Sequence, residues 1–288
     1  MVSIHKILVA VENPATFTDT SRHMIGQVAW LARRLNAEII LLHAVNAFSY
    51  PSGWLESGHE ITVKDSQAPV VQNLQNDLDR AYLPEFDGIA VTRLLVRGDS
   101  AREVIETARN LKVDLLVMSA QGHRWETKKV LRQIQCPVWT GAHLEEAGPA
   151  EFSIRNVLCS VELNGHSRHT VLLAAGIAAA VGAKLTLIHI TGSVERFGPG
   201  GTNTDPVLRA QNVGFATEDI ARLQQDLGTN AAVVIDSGSN VAELLNRAAE
   251  QTKADVLIIG HIPGRSHIGG NGNGFGVIQS SRIPVLSV

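Results

Sequence analysis

The sequence is poor in the features that mark several large classes of protein. Aromatic residues make up only 5% of its 288 residues, and there are two cysteines, Cys136 and Cys159. They lie in separate halves at no metal or redox spacing, which excludes a disulfide scaffold and fits a reducing compartment. Acidic residues outnumber basic ones 28 to 25, a formal net charge of −3, so no general basic surface is offered to nucleic acid. No apolar run is long enough to cross a bilayer, and the chain starts without a charged-then-apolar leader. Gly-Lys-Ser/Thr and Gly-x-Ser-x-Gly are also missing, which removes the P-loop lysine and the nucleophile elbow. These absences predict a soluble, cytoplasmic protein that engages neither membrane nor nucleic acid.

What is present is a duplication. Lys6-Ile7-Leu8-Val9-Ala10-Val11-Glu12 returns as Asn156-Val157-Leu158-Cys159-Ser160-Val161-Glu162, and Leu41-Leu42-His43-Ala44 as Leu187-Ile188-His189-Ile190. Asp114-Leu115-Leu116-Val117-Met118-Ser119 matches Asp255-Val256-Leu257-Ile258-Ile259-Gly260, and Cys136-Pro137-Val138 matches Ile283-Pro284-Val285. The matches keep one order, so they mark two tandem domains, 1–143 and 152–288, joined by a linker from Ala142 to Ser153.

Within each copy, strand-like runs alternate with helix-like segments. The runs are 6–12, 38–45, 89–96, 113–119 and 136–140, then 156–162, 184–190, 230–236, 255–260 and 283–288. Alternation of this kind predicts an α/β fold, two Rossmann-like domains each with a five-stranded parallel sheet flanked by helices. Met24, Val28, Leu31, Ala32 and Leu35 form one helical apolar stripe, and Val241, Leu244, Leu245, Ala248 and Ala249 another; both belong to the core. Two connections, 46–68 and 191–206, are rich in Gly, Ser and Pro and predict irregular structure.

In an open parallel sheet, ligands bind outside the carboxyl ends of the strands where the winding reverses. The second copy sends Ser160, Val161 and Glu162 there from its first strand, and Ile259 and Gly260 from its fourth. After Gly260 comes a stretch with His261, Gly264, His267, Gly270, Gly272 and Gly274, ahead of an apolar helix starting near Val277. Glycines let successive N–H groups converge on an anion, and a following helix start adds more. Such a run is a phosphate cradle or a surface loop, and the residues alone leave both open. The first copy passes from Ser119 through Gly122 almost directly into the basic helix around Lys128 and Lys129. It is too short to enclose a triphosphate, and its role is structural or regulatory. His43 and His189 occupy matching strand positions and are expected to hydrogen bond at the sheet edge. Ser167 and Thr170 are expected to cap or begin a helix.

These features together resemble the universal stress protein family in its tandem form: a Val-Glu strand end, a Leu-His or Ile-His second strand, an Asp-led fourth strand, a glycine loop and a closing Pro-Val strand. The resemblance covers nearly the whole chain and implies an adenine nucleotide alpha hydrolase-like fold with ATP bound through a Gly-x₂-Gly-x₉-Gly-Ser/Thr pattern. It puts the nucleoside-contacting acid on Glu162, where the family usually has Asp, and the adenine lining on Ile190. It makes Gly260 the first motif glycine and Gly264 the stand-in for the second; the last is Gly274 counted forward from Gly264, or lies at Gly270 to Gly272 counted back from Pro284, and His261 lies in the same loop within reach of phosphate. Pro263 stands at the expected place of the second motif glycine, and no Ser or Thr follows the last.

The resemblance therefore implies a non-enzymatic stress-response module that binds an adenine nucleotide, ATP with Mg²⁺ as its companion, in the second domain. The alternatives are a scaffold for an unknown protein partner that takes no nucleotide, and a slow ATPase. Family members often dimerise through the last strand; here 136–140 and 283–288 are placed either to pair within one chain, as a pseudo-dimer, or to serve a homodimer.

Overall fold

The computed structural model describes residues 4–12, 14, 19–45, 63–119, 124–141, 152–192, 195–198, 201–204, 206–260 and 274–288. These divide into two compact units, 4–136 and 137–141 with 152–288.

The first unit runs β1 (Lys6–Ala10), α1 (Asp19–Leu35), β2 (Glu38–Val45), α2 (Val63–Arg80), β3 (Val91–Arg97), α3 (Ser100–Asn110), β4 (Leu115–Met118) and α4 (Arg124–Gln133). Its strands lie parallel in the order β4-β1-β2-β3. The second unit contains β5 (Val138–Thr140), β6 (Asn156–Ser160), α5 (Ser167–Val181), β7 (Lys184–Thr191), β8 (Glu195–Gly198), β9 (Gly201–Thr204), α6 (Pro206–Leu227), β10 (Ala232–Ser237), α7 (Val241–Thr252), β11 (Val256–Ile259), α8 (Gly274–Ser280) and β12 (Val285–Ser287). Here β10-β7-β6-β11-β12 are parallel, and β5 adds antiparallel to β12.

The central strands are continuous apolar runs because helices cover both faces. Ile7, Leu8 and Val9 in β1, and Val157, Leu158 and Cys159 in β6, have at most 1% of their surface exposed. The predicted helical stripes are buried from Met24 to Ala32 on α1 and from Leu244 to Ala249 on α7, while Leu35 and Val241 at their ends are partly exposed.

The duplication persists in individual hydrogen bonds. The carboxylate of Asp114 accepts from the N–H groups of His5 and Lys6 at 2.8 and 2.9 Å. The carboxylate of Asp255 accepts from those of Arg155 and Asn156 at 2.7 and 2.8 Å. Each aspartate also donates its own N–H across to the first strand, Asp114 to the Lys6 carbonyl and Asp255 to the Asn156 carbonyl, both at 2.9 Å. The turn that precedes each aspartate contains a left-handed lysine, Lys112 at φ 49° and Lys253 at φ 51°. Helix starts are capped by Asp99, which accepts from the Arg102 N–H, and Asn240, which accepts from the Glu243 N–H.

Three features differ from the sequence reading. The connection at 191–206 includes an antiparallel hairpin of β8 and β9, whose glycine-rich composition concealed a short local pairing. The stretch 63–68, expected to be irregular, is the first part of α2. Cys136 precedes β5 and is not a strand residue. The pairing anticipated between 136–140 and 283–288 does form, with Thr140, Trp139 and Val138 opposite Val285, Leu286 and Ser287. The Thr140 hydroxyl donates to the Val285 carbonyl at 3.2 Å, and the Trp139 ring meets Phe152 edge-on. Through these contacts β5, which closes the first sequence repeat, is counted in the second unit.

Asp255→Ala removes a charged acceptor shared by two backbone N–H groups. It is expected to lower stability by about 2 kcal/mol in urea unfolding, with Asp255→Asn intermediate because its amide oxygen still accepts. An unchanged unfolding midpoint for the alanine variant would show that this clamp is dispensable.

Candidate functional site

In the second unit the chain leaves β6 towards β7 on one side, while β11 lies on the other. The reversal of winding therefore falls between β6 and β11, as the sequence reading required. Register carries the strands there together: Val157 lies opposite Val256, Leu158 opposite Leu257 and Cys159 opposite Ile258. Ser160, Val161 and Glu162 then emerge beside Ile259 and Gly260.

The β6–α5 turn is closely hydrogen bonded. Val161 is buried and donates its N–H to the Ile188 carbonyl at 2.8 Å, while its own carbonyl accepts from His189 Nδ1 at 2.7 Å. Leu163 follows in the left-handed region at φ 57°. Asn164 organises the rest. Its amide nitrogen donates to Glu162 Oε2 at 2.7 Å, its amide oxygen accepts the His166 N–H at 2.9 Å, and its N–H donates to Ser167 Oγ at 3.0 Å. Ser167 is the first residue of α5, and its buried hydroxyl serves this turn.

Glu162 is half-buried. Burial pushes its carboxyl above the usual carboxylate range, against the opposing pull of the Asn164 hydrogen bond and the nearby His166. An acid whose pKa is raised by burial at a sheet's reversal point is a candidate site residue.

On the other side, Ile259 is buried, and Val288 donates its N–H to the Ile259 carbonyl at 2.9 Å. A Cβ at Gly260 would stand 3.4 Å from the Thr170 hydroxyl of α5, so this glycine fits closely against the helix. Gly274 is buried and begins α8, three residues earlier than the sequence suggested. His261, Gly264, Gly270 and Gly272, expected to complete the phosphate contacts, lie outside the described residues, as does Gly122 of the first copy.

The third wall comes from β7 and β10. Ile190 is partly exposed and lies opposite Asp236. Beyond it, the Thr191 hydroxyl bonds the Ser237 hydroxyl at 2.6 Å, and Asp236 holds Arg247 at 2.6 Å. Sequence reasoning missed Asn164, Asp236, Arg247 and the Thr191–Ser237 pair; an Asn-Gly turn signal marked only the first. It placed the histidine bonds at a sheet edge, but both His43 and His189 bond the carbonyl at the end of the central first strand. In the first unit Glu12 is exposed, unlike Glu162.

Burial pushes the Cys159 thiol up to about 12 and the Cys136 thiol up to about 11, so neither supplies a thiolate at neutral pH. Among the described residues there is no cluster of three potential metal ligands, and no helix is long and apolar enough to cross a membrane.

The model of the universal stress protein family matches the chain twice, over residues 3–140 and 153–288. The chain belongs to the universal stress protein family. Two family matches in series make it a tandem member, each repeat carrying the same α/β pattern. A universal stress protein from Archaeoglobus fulgidus DSM 4304 is similar in structure at a TM-score of 0.63 and 15% identity, over 98% of this chain and 95% of that one. A protein assigned to the same family from Pseudomonas aeruginosa UCBPP-PA14 gives 0.63 at 18% identity, covering 99% and 93%. A protein of unknown function from Pseudomonas aeruginosa PAO1 gives 0.62 at 18%, covering 99% and 92%. No curated protein sequence matches the chain. At these identities the structural likeness establishes the tandem fold.

A carboxyl that titrates higher in the folded state contributes stability that is complete below its unfolded pKa and is lost as pH rises through the folded value. Ionised Glu162 is thus a cost at neutral pH. Glu162→Gln is expected to melt above wild type at pH 7, with the gap closing towards pH 4; a gap that widens on acidification would contradict the assigned burial.

Proposed function

We propose that this universal stress protein binds an adenine nucleotide at the carboxyl ends of β6, β7 and β11, with ATP as the ligand and Mg²⁺ accompanying its phosphates. The bound nucleotide sets conformation or the choice of a protein partner in a cytoplasmic stress response, without turnover. The observation that carries this reading is the half-buried, upshifted Glu162 at the point where the sheet's winding reverses, with Gly260 following the neighbouring β11. The described residues fit a nucleoside. Glu162 is an acceptor for ribose hydroxyls, held in place by Asn164, and Ile190 is a partly exposed residue on the neighbouring β7. Phosphates would extend towards the glycine-rich stretch that begins at His261.

A binding module is preferred to an enzyme because the described site brings no activated nucleophile to Glu162, and both thiols are held protonated by burial. Pro263 in the glycine motif favours a second reading, a scaffold that takes no nucleotide. The pairing of β5 with β12 supports the proposal that the closing strands of the repeats satisfy each other within the chain, so that further association is not required for folding.

Calorimetric titration of ATP into nucleotide-stripped full-length protein, with and without Mg²⁺, separates the two readings. One site per chain near micromolar affinity, about −8 kcal/mol, is expected, and Glu162→Ala should weaken it at least about tenfold, about 1.4 kcal/mol. No heat and no thermal stabilisation at millimolar ATP would leave the scaffold.

A further inference from the structure

In the second unit β12 is paired on both sides, with β11 and with β5, so the closing strand offers no edge for association. The outer strand β10 does. Its register on β7 continues into the bond from the Gly238 N–H to the Thr191 carbonyl at 3.2 Å. Within a strand, the N–H and C=O of one residue point to the same side, and neighbouring residues alternate. Ala232, Val234 and Asp236 therefore face β7, while Val233, Ile235 and Ser237, with Ala231 just before the strand, face away from it. Side chains close both ends of this outward row. Gln224 takes both polar groups of Ala231, accepting its N–H and donating to its carbonyl at 3.3 Å. The Asp236 carboxylate accepts the Ser237 N–H at 2.8 Å. Between these plugs, the outward N–H and C=O groups of Val233 and Ile235 have no partner among the described residues. Ala232 and Val233 send their side chains to opposite faces and both are exposed, Val233 to 39%, so neither face of the strand is fully covered there.

We propose that this window is a pairing edge for a second copy of the chain, with β10 lying antiparallel to β10 of the copy about a two-fold axis at Val234. In that register Val233 of each chain meets Ile235 of the other as a pair that exchanges both its hydrogen bonds, and Val234 meets Val234 between them as the non-bonded pair. This register pairs both open residues and calls on neither plugged one. The cross-strand neighbours are all β-branched, a combination that packs well on a pleated surface. Charge agrees with it. Residues 231–235 carry none, and each Asp236 falls opposite Ala232 of the copy while keeping its own Arg247 at 2.6 Å. The outer strand of the first unit differs. The Gly98 N–H donates to the Val45 carbonyl at 3.1 Å, which turns the main chain of Arg93 and Arg97 outward on β3. Charged residues along an edge guard it against pairing, and β10 has no such guard between its plugs. The seam is short and falls below the area of a permanent interface, so the dimer is reversible and set by concentration. It does not depend on a nucleotide.

The test is sedimentation of the full-length wild type, Val233→Pro and Ile235→Pro over a concentration series. The wild type should pass from monomer to dimer as concentration rises. Each proline removes an outward N–H and sets a ring in its place without touching the ladder to β7, so the fold should be kept while the dimer weakens at least about tenfold. A folded Val233→Pro protein that dimerises as the wild type does would place the contact on another surface and overturn the proposal. Amide exchange on the wild type guards against a proline variant that does not fold. The Val233 and Ile235 amides should exchange fast in dilute protein and slow down as concentration rises, while the Val234 amide, bonded to β7, and the plugged Ser237 amide stay as they are. Protection of Val233 and Ile235 that does not change with concentration overturns the pairing. So does a wild type that remains monomeric throughout with both amides in fast exchange, which would leave this edge to water or to a strand of different sequence.

Discussion

The candidate site depends on how β6 is held against β11 at the opposite end of the sheet. Asp255 does this with one carboxylate oxygen, which gathers the N–H groups of Arg155 and Asn156, and with its own N–H, which returns to the Asn156 carbonyl. The three bonds set the register from which Val157, Leu158 and Cys159 pair with Val256, Leu257 and Ile258. Because side chains alternate along a strand, a slip of one residue would turn Glu162 to the other face and move Gly260 out of line with it. A carboxylate at the amino ends of the strands thus determines what arrives together at their carboxyl ends.

At those ends the sheet opens by substituting side chains for ladder bonds. His189 takes the Val161 carbonyl, Asn164 steadies Glu162 and starts α5, and the Thr191 hydroxyl meets that of Ser237. Each substitution satisfies a polar group without extending the strand, so these groups stay paired where the ladder ends. Glu162 is the exception, a carboxyl lifted by burial beyond what its hydrogen bond and neighbouring charge repay.

The two repeats share the frame and differ in what they attach to it. Asp114 and Asp255, Lys112 and Lys253, His43 and His189 perform the same tasks in each unit. The described part of the second adds a hairpin of β8 and β9 after its second strand, and its glutamate is half-buried where Glu12 is exposed. Divergence has fallen on the connections at the carboxyl ends, which tolerate change because they do not carry the core.

The parallel α/β architecture, the duplication, the buried helix faces and the reversal of winding between β6 and β11 were legible in the sequence. Each follows from patterns that short stretches carry by themselves: apolar runs, helical spacing and strand order. The hairpin at 195–204 was not legible, because glycine-rich composition reads as loop whether or not two short strands pair locally. The partners of His189, Asn164 and Asp236 were also hidden. Their bonds join atoms up to dozens of residues apart, and no local spacing encodes which backbone carbonyl a strand histidine will find. Sequence alone thus determined the elements and their order, through hydrophobic periodicity. Only the tertiary structure decided which polar groups complete one another, because that depends on strand register and the path of each turn.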